Sequence, residues 1–443
     1  MKLFRLKKPT SFQWIILGFA GVILAGAFLL MLPISSSART VTPFHDALFT
    51  STSAVCVTGL VVRDTGSYWS VFGKVVLLLL IQIGGLGVIT VAAAFAILSG
   101  KKISLMQRST LQEATAAPQV GGIVRLTGFI LRGTLLVEGI GALLMMPVFC
   151  KDYGFRGVFL SCFHSVSAFC NAGFDLLGTG SAAYPSLTAY ADNPLICVPV
   201  MLLILAGGIG FLTWEDIGTH GIRFRRYRMQ SKVILLTSAF LIVLPTVYFF
   251  FFEFTGGTVG QRLLNATFQA ITPRTAGFNT VNLSEMSGAS CGIMIFLMLI
   301  GGAPGSTAGG MKMTTLAVLL ANLFAVFRRR EDVCLFGRRV DDGAVRTAAS
   351  IGMMDLLLFF GGALVISTAE GLPMSVCLYE TASAVATVGL TLGVTPGLGI
   401  LSQAVLILLM FLGRVGGLTL IYAALRTTVR TSSRLPQEKI MIG

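Results

Sequence analysis

The chain has 443 residues, of which 54% are hydrophobic and only 12% charged, with a mean hydropathy of +0.84. Soluble domains are about a quarter charged, so one aqueous core cannot hide this much apolar surface and lipid must be its solvent. The 33 Lys and Arg against 19 Asp and Glu, a net charge of +14, point either to nucleic acid or to the inner loops of a membrane protein, and their distribution decides which.

Eight apolar runs are long enough to cross roughly 30 Å of hydrocarbon: residues 13–33, 70–99, 124–149, 194–217, 231–253, 289–327, 347–369 and 399–425. The first follows a basic start, but at about 21 residues it exceeds a secretory signal core and reads as a retained helix. The sixth is interrupted in its middle. Between odd and even runs lie 44–56, 158–170, 261–272 and 373–385, too short to cross and read as re-entrant pore helices. The expected fold is all-α, with four helix–pore loop–helix repeats (1–99, 100–218, 219–330 and 331–443) around one central pore. The fourth repeat includes the C-terminal tail.

Each short stretch ends in small and hydroxyl residues that climb to a glycine. The four are Ala54-Val55-Cys56-Val57-Thr58-Gly59-Leu60, Ala168-Phe169-Cys170-Asn171-Ala172-Gly173-Phe174, Thr272-Pro273-Arg274-Thr275-Ala276-Gly277-Phe278 and Ala384-Val385-Ala386-Thr387-Val388-Gly389-Leu390. The glycines are 114, 104 and 112 residues apart, too far for a solenoid unit and right for two spans with a loop between them. Irregular backbone at membrane depth survives only where it is buried or lines a water-filled path. There its carbonyls can replace the hydration shell of an alkali cation, and glycine reaches the φ values that this alignment needs. The flanking side chains are mostly neutral, which suits K+ better than Ca2+ or Mg2+. One such glycine alone reads as a turn or packing residue; four in register read as a selectivity filter. The candidate filter is the last four residues up to each glycine, beginning at Cys56, Cys170, Arg274 and Ala386.

Basic residues cluster at Lys2, Arg5, Lys7 and Lys8; at Lys101, Lys102, Arg108, Arg125 and Arg132; from Arg223 to Lys232; from Arg328 to Arg346; and at Arg426, Arg430, Arg434 and Lys439. These five segments alternate with the glycine turns, so both termini are expected inside and every turn enters from outside. Nucleic acid is not needed to explain the charge. The outer segments, with Asp64, Asp175 and Glu380 among them, hold more acid than base, and a negative mouth concentrates cations.

A second signal follows each turn: Gly84-Gly85, Gly207-Gly208, Gly301-Gly302 and Gly413-Arg414. Small residues there let helices approach closely. In the third repeat the pair opens into Gly301-Gly302-Ala303-Pro304-Gly305-Ser306-Thr307-Ala308-Gly309-Gly310, which no continuous helix tolerates. In the fourth, Arg414 stands where the others have glycine, and an arginine mid-span marks a functional site. Together they read as a gate: a loop across the pore, its freed backbone groups met by a water-filled cavity, held by Arg414. A rival reading pairs Arg414 with Asp355.

These residues resemble the Trk/Ktr/HKT superfamily of potassium transporters over essentially the whole chain, and within it the bacterial Ktr membrane subunit. The four turns, the phrase from Thr272 to Phe278, the broken third inner helix and Phe411-Leu412-Gly413-Arg414 carry the resemblance; Pro304 departs from it. The resemblance implies K+ uptake across the cell membrane, often Na+-dependent, by a homodimer with one pore per subunit. It also implies gating by a cytosolic, nucleotide-binding ring of RCK-type regulatory subunits, so that any nucleotide sits on the partner and no cofactor is bound covalently here. The alternatives are a non-selective cation channel or Na+ transporter of the same build, or a polytopic membrane enzyme, for which the dispersed acids form no cluster. An inverted-repeat transporter is excluded because all four turns share one orientation.

Glu138 and Asp355 lie within spans as ion-pathway groups or partners of inner arginines. Glu380 and Asp175 read as mouth charges or solvated residues. His45, His164 and His220 are scattered and read as structural. The eight cysteines contain no CxxC pair and read as packing residues.

Overall fold

The computed structural model describes residues 10–98, 105–115, 122–178, 185–416 and 419. The expected inner cations Lys2, Arg5, Lys7, Lys8, Lys101, Lys102, Arg426, Arg430, Arg434 and Lys439 lie outside the described residues. In chain order the helices are α1 (Ser11–Met31), α2 (Phe44–Val55), α3 (Thr65–Tyr68), α4 (Val71–Leu86), α5 (Val88–Leu98), α6 (Leu105–Thr115), α7 (Ile123–Tyr153), α8 (Arg156–Phe169) and α9 (Pro194–Gly208). They continue with α10 (Phe211–His220), α11 (Met229–Tyr248), α12 (Val259–Ile271), α13 (Gly288–Leu299), α14 (Met313–Phe327), α15 (Asp342–Glu370), α16 (Met374–Val385) and α17 (Ile400–Val415). A two-residue antiparallel hairpin, Cys334–Leu335 with Arg338–Arg339, joins α14 to α15.

Among the described residues, α1, α7, α11 with its π-helical extension to Glu253, and α15 are each long and apolar enough to cross a membrane. The expected spans 70–99 and 194–217 are not straight: α4 to α5 bends by 95° and α9 to α10 by 98°. The cause is local. Gly87 and Gly210, each three residues after the first glycine of its pair, have φ of +86°, where a helix cannot continue and only glycine sits without strain. Gly416 at φ +85° ends α17 in the same way, and the corresponding slot after Gly301-Gly302 is Pro304. The span 289–327 is broken into α13 and α14, as its composition required.

α2, α8, α12 and α16 are the short helices that lead into the glycine turns. Each packs on the long helix before it: α1 with α2, α7 with α8, α11 with α12 and α15 with α16. Their hydroxyls are satisfied within the bundle. Ser51 Oγ donates to Ile23 O at 2.7 Å and Ser165 Oγ, at the equivalent place, to Glu138 O at 2.6 Å. The helices that follow the turns then wedge between neighbours, α4 touching both α2 and α8, α9 both α8 and α12, and α17 both α16 and α2. α13 touches α16.

The glycine pairs make that wedge possible. A Cβ on Gly84, Gly207 or Gly413 would stand 2.1, 2.0 and 2.0 Å from the carbonyl oxygens of Val55, Phe169 and Val385, the last residues of α2, α8 and α16. α13 and α17 begin on clamps. Glu253 accepts from Ser287 and Ser290, and Glu370 accepts from Gly399 N and Ser402 Oγ. Gly207→Ala is expected to cost about 1–3 kcal/mol by overpacking. Melting of the detergent-purified protein, followed by size-exclusion fluorescence, should show a clear drop relative to Gly139→Ala, whose site is open within 4 Å.

Candidate functional site

The four glycine turns close on one another. A Cβ on Gly59 would lie 2.5 Å from the carbonyl oxygen of Ala172, one on Gly173 2.7 Å from that of Ala276, one on Gly277 2.3 Å from that of Val388, and one on Gly389 2.1 Å from that of Thr58. Each glycine therefore abuts the carbonyl before the next glycine, in chain order, and the fourth returns to the first. All four have positive φ, from +66° to +95°. The cavity above this ring has a volume of ≈ 490 Å³ and is lined by the four glycines, Asp64, Asp175 and the hydroxyls of Thr280 and Thr391, among others.

The turns share a second left-handed residue, two before the glycine: Val57 (φ +53°), Asn171 (+58°), Thr275 (+69°) and Thr387 (+52°). Asparagine tolerates this region, but a β-branched residue does so only under external constraint. The constraint is visible. Thr58 N, Ala172 N and Val388 N each donate to a carbonyl five residues back, at 2.8, 2.8 and 2.7 Å. Gly59 N and Gly389 N donate to the Ser53 and Ser383 hydroxyls at 3.0 and 2.9 Å. Ser167 and Thr272 instead donate to the carbonyls of Phe174 and Phe278. In addition, the Asn171 amide and the Thr275 hydroxyl meet at 3.1 Å across two turns.

Among the candidate filter side chains, Arg274 is buried and its Nη2 donates to Ser238 Oγ at 3.1 Å. It anchors the third turn to α11. Glu380 is neither a mouth charge nor solvated. It is buried and accepts from Thr391 Oγ1, Leu392 N and Thr395 Oγ1 at 2.6, 2.9 and 2.6 Å, holding the strand of chain that leaves the fourth turn. Asp46 does similar work in the first repeat through Arg63, at 2.8 Å. Among the described residues Glu138 pairs with no arginine; Gln82 Nε2 donates to it at 3.3 Å and the Cys170 thiol lies 3.9 Å away. His164 Nδ1 bonds its own helix at Leu160 O, and all eight cysteines are free.

Below the ring, residues 300–312 cross as an irregular loop. The expectation that water meets its freed backbone is corrected. Gly301 N donates to Met311 O, Ala303 N to Gly208 O, Thr307 N to Gly207 O, Gly310 N to Gly413 O and Met313 N to Gly302 O, at 2.7 to 3.2 Å. Gly305 O accepts from Phe211 N, the first residue of α10, and Thr307 Oγ1 donates to Phe169 O at 3.1 Å. A Cβ on Gly309 or Gly310 would strike Thr387 or Ala386, so the loop lies directly against the fourth turn. The Arg414 guanidinium donates to Thr307 O, to Gly84 O and, at 3.1 Å, to Gly85 O. It makes no ion pair with Asp355. Lys312, not singled out from the sequence, donates to Ala308 O at 2.6 Å and Gly309 O at 3.3 Å. A cation two residues after a glycine-rich break inside a span was the signal for it.

The TrkH family model, described as a cation transport protein, matches residues 4–434. The chain is similar to the potassium/sodium uptake protein NtpJ of Enterococcus hirae, at 39% identity covering 99% of this chain and 98% of that protein. It is also similar to the Ktr system potassium uptake protein B of Bacillus subtilis, at 36% identity over 97% and 96% of the two chains. In fold it matches the crystal structure of the potassium transporter TrkH from Vibrio parahaemolyticus with a TM-score of 0.75, at 19% identity, over 96% of this chain and 87% of that one.

The cavity over the ring carries a pH signature. Burial pushes the Asp175 carboxyl up to about 6, nearby Asp64 pushes in the same direction, and the Leu177 amide opposes both. A carboxyl at about 6 is charged at pH 7.5 and neutral at pH 5. Apparent monovalent-cation affinity should therefore fall as pH drops through 6, and Asp175→Asn should hold the weaker value at every pH in a titration of Rb+ binding or uptake.

Proposed function

The chain belongs to the TrkH family of cation transport proteins, and from that premise we propose that it takes up K+ through the ring of backbone carbonyls around Gly59, Gly173, Gly277 and Gly389. The family is one of transporters, so the enzyme alternative falls away. The observation that carries the reading is the closed cycle in which each glycine leaves room for its neighbour's carbonyl. Carbonyl rings select by replacing hydration of a monovalent ion, and the C-terminal ends of α2, α8, α12 and α16, which lead into it, add partial negative charge. The relatives' names, one potassium/sodium uptake protein and one potassium uptake protein, support K+ as the cargo with Na+ as a second ion or coupling partner.

The loop of residues 301–310 with Arg414 is the gate in this reading. A guanidinium bonded both to the loop and to the end of α4 ties two repeats together on the ion path and repels a permeating cation. The contact of Gly305 O with Phe211 N connects the loop to α10 and to the basic segment from Arg223 to Lys232. That segment and Arg328 to Arg330 offer a charged face for a cytosolic, nucleotide-binding RCK-type ring. A homodimer, inner termini and four repeats with the three boundaries at 99, 218 and 330 complete the proposal.

In proteoliposomes the wild type should accumulate 86Rb+. Gly→Ser at any of the four ring positions should lower K+ over Na+ discrimination on the order of tenfold, the equivalent of about 1.4 kcal/mol; ratios unchanged in all four would contradict the ring. Arg414→Ala, or deletion of Ser306 to Gly310, should raise Rb+ flux in folded protein. Lower flux in both would remove the gate assignment.

A further inference from the structure

Three consecutive carbonyls of the intramembrane loop each meet a side-chain cation. Thr307 O accepts from the Arg414 guanidinium, and Ala308 O and Gly309 O accept from the Lys312 ammonium. The same guanidinium reaches Gly84 O and Gly85 O at the end of α4. Thr307, Ala308 and Gly309 are buried, and Gly309 lies against the Thr387 hydroxyl of the fourth turn. Among the described residues neither cation has a carboxylate within salt-bridge distance.

A cluster of backbone oxygens at membrane depth is costly unless something positive or donating faces it. It is also the environment that an alkali cation needs once its water is stripped. A lysine ammonium is a compact point charge with three donors, and ammonium and K+ are close enough in size to compete for the same oxygens. We infer that the carbonyls of Thr307, Ala308 and Gly309, with those of Gly84 and Gly85, form a second monovalent-cation site below the filter, filled in this conformation by Lys312 and Arg414 as tethered stand-ins for the ion. The inference rests on the reading of this chain as a K+ conductor.

It assigns Lys312 a role distinct from that of Arg414. Lys312 also interacts electrostatically with Asp355 on α15, and the carboxylate gives the ammonium a second place to go when a permeating ion claims the carbonyls. Opening then exchanges one cation for another at the loop, without leaving its oxygens bare.

The test is equilibrium 86Rb+ binding to the purified full-length chain, counted per chain, in the wild type, Lys312→Gln, and the Lys312→Gln/Arg414→Gln double variant. The double variant should bind one more Rb+ per chain than the wild type. Lys312→Gln, which keeps Arg414 on the loop, should show the added site at lower affinity, and Lys312→Arg should return the wild-type count. Lys312→Gln decides the matter if the double variant is not monodisperse. A wild type that binds Rb+ alongside variants with the same count overturns the inference alone. A wild type that binds no Rb+ overturns the K+ reading beneath it.

Discussion

The structure depends on the absence of four β-carbons. At Gly59, Gly173, Gly277 and Gly389 the neighbouring repeat's carbonyl occupies the space that any side chain would need, so the four turns can close only if all four positions are glycine. The same device recurs one layer down. Gly84, Gly207 and Gly413 admit the carbonyls that end α2, α8 and α16, which sets the depth at which the inner helices cross beneath the turns. Remove the upper contacts and the ring opens; remove the lower ones and the helices that hold the ring in place are pushed outward.

Strain is stored beside three of the four glycines. Val57, Thr275 and Thr387 are β-branched and left-handed, a combination that costs of order 1–3 kcal/mol at each site when nothing enforces it. Backbone and serine or threonine hydroxyl bonds across each turn supply the enforcement, and Glu380, Arg274 and Asp46 brace the chain on either side. The loop of residues 301–310 is braced too, by backbone hydrogen bonds to the ends of α9 and α17 and through Arg414 to the end of α4. On the proposed function, turns braced in this way above a hydrogen-bonded loop would let selectivity and gating reside in separate parts.

Much of this was legible in the sequence. The four glycines, the short helices before them and the break at Gly301 to Gly310 announced themselves by repetition and by composition that no spanning helix tolerates. Arg414 announced itself by interrupting a repeat. What was not legible depends on neighbours distant in the chain. Nothing local marks Val57 or Thr387 as left-handed, because intrinsic preference argues against it and only the assembled turns impose it. The burial of Glu380 among three donors follows from the return of Thr391 to Thr395 over α16. The bends at Gly87 and Gly210 were written three residues after the first glycine of each pair, yet a count of apolar residues alone reads through them. Water was expected around the loop because a broken helix frees backbone groups; the neighbouring inner helices supply the partners instead.

The most direct test of the ring is crystallographic. Crystals of the full chain grown in Rb+ or Tl+ salt, measured at the ion's absorption edge, should show an anomalous peak among the carbonyl oxygens of Thr58, Ala172, Ala276 and Val388. Anomalous density only elsewhere in the molecule, from protein that transports the same ion in vesicles, would contradict the account.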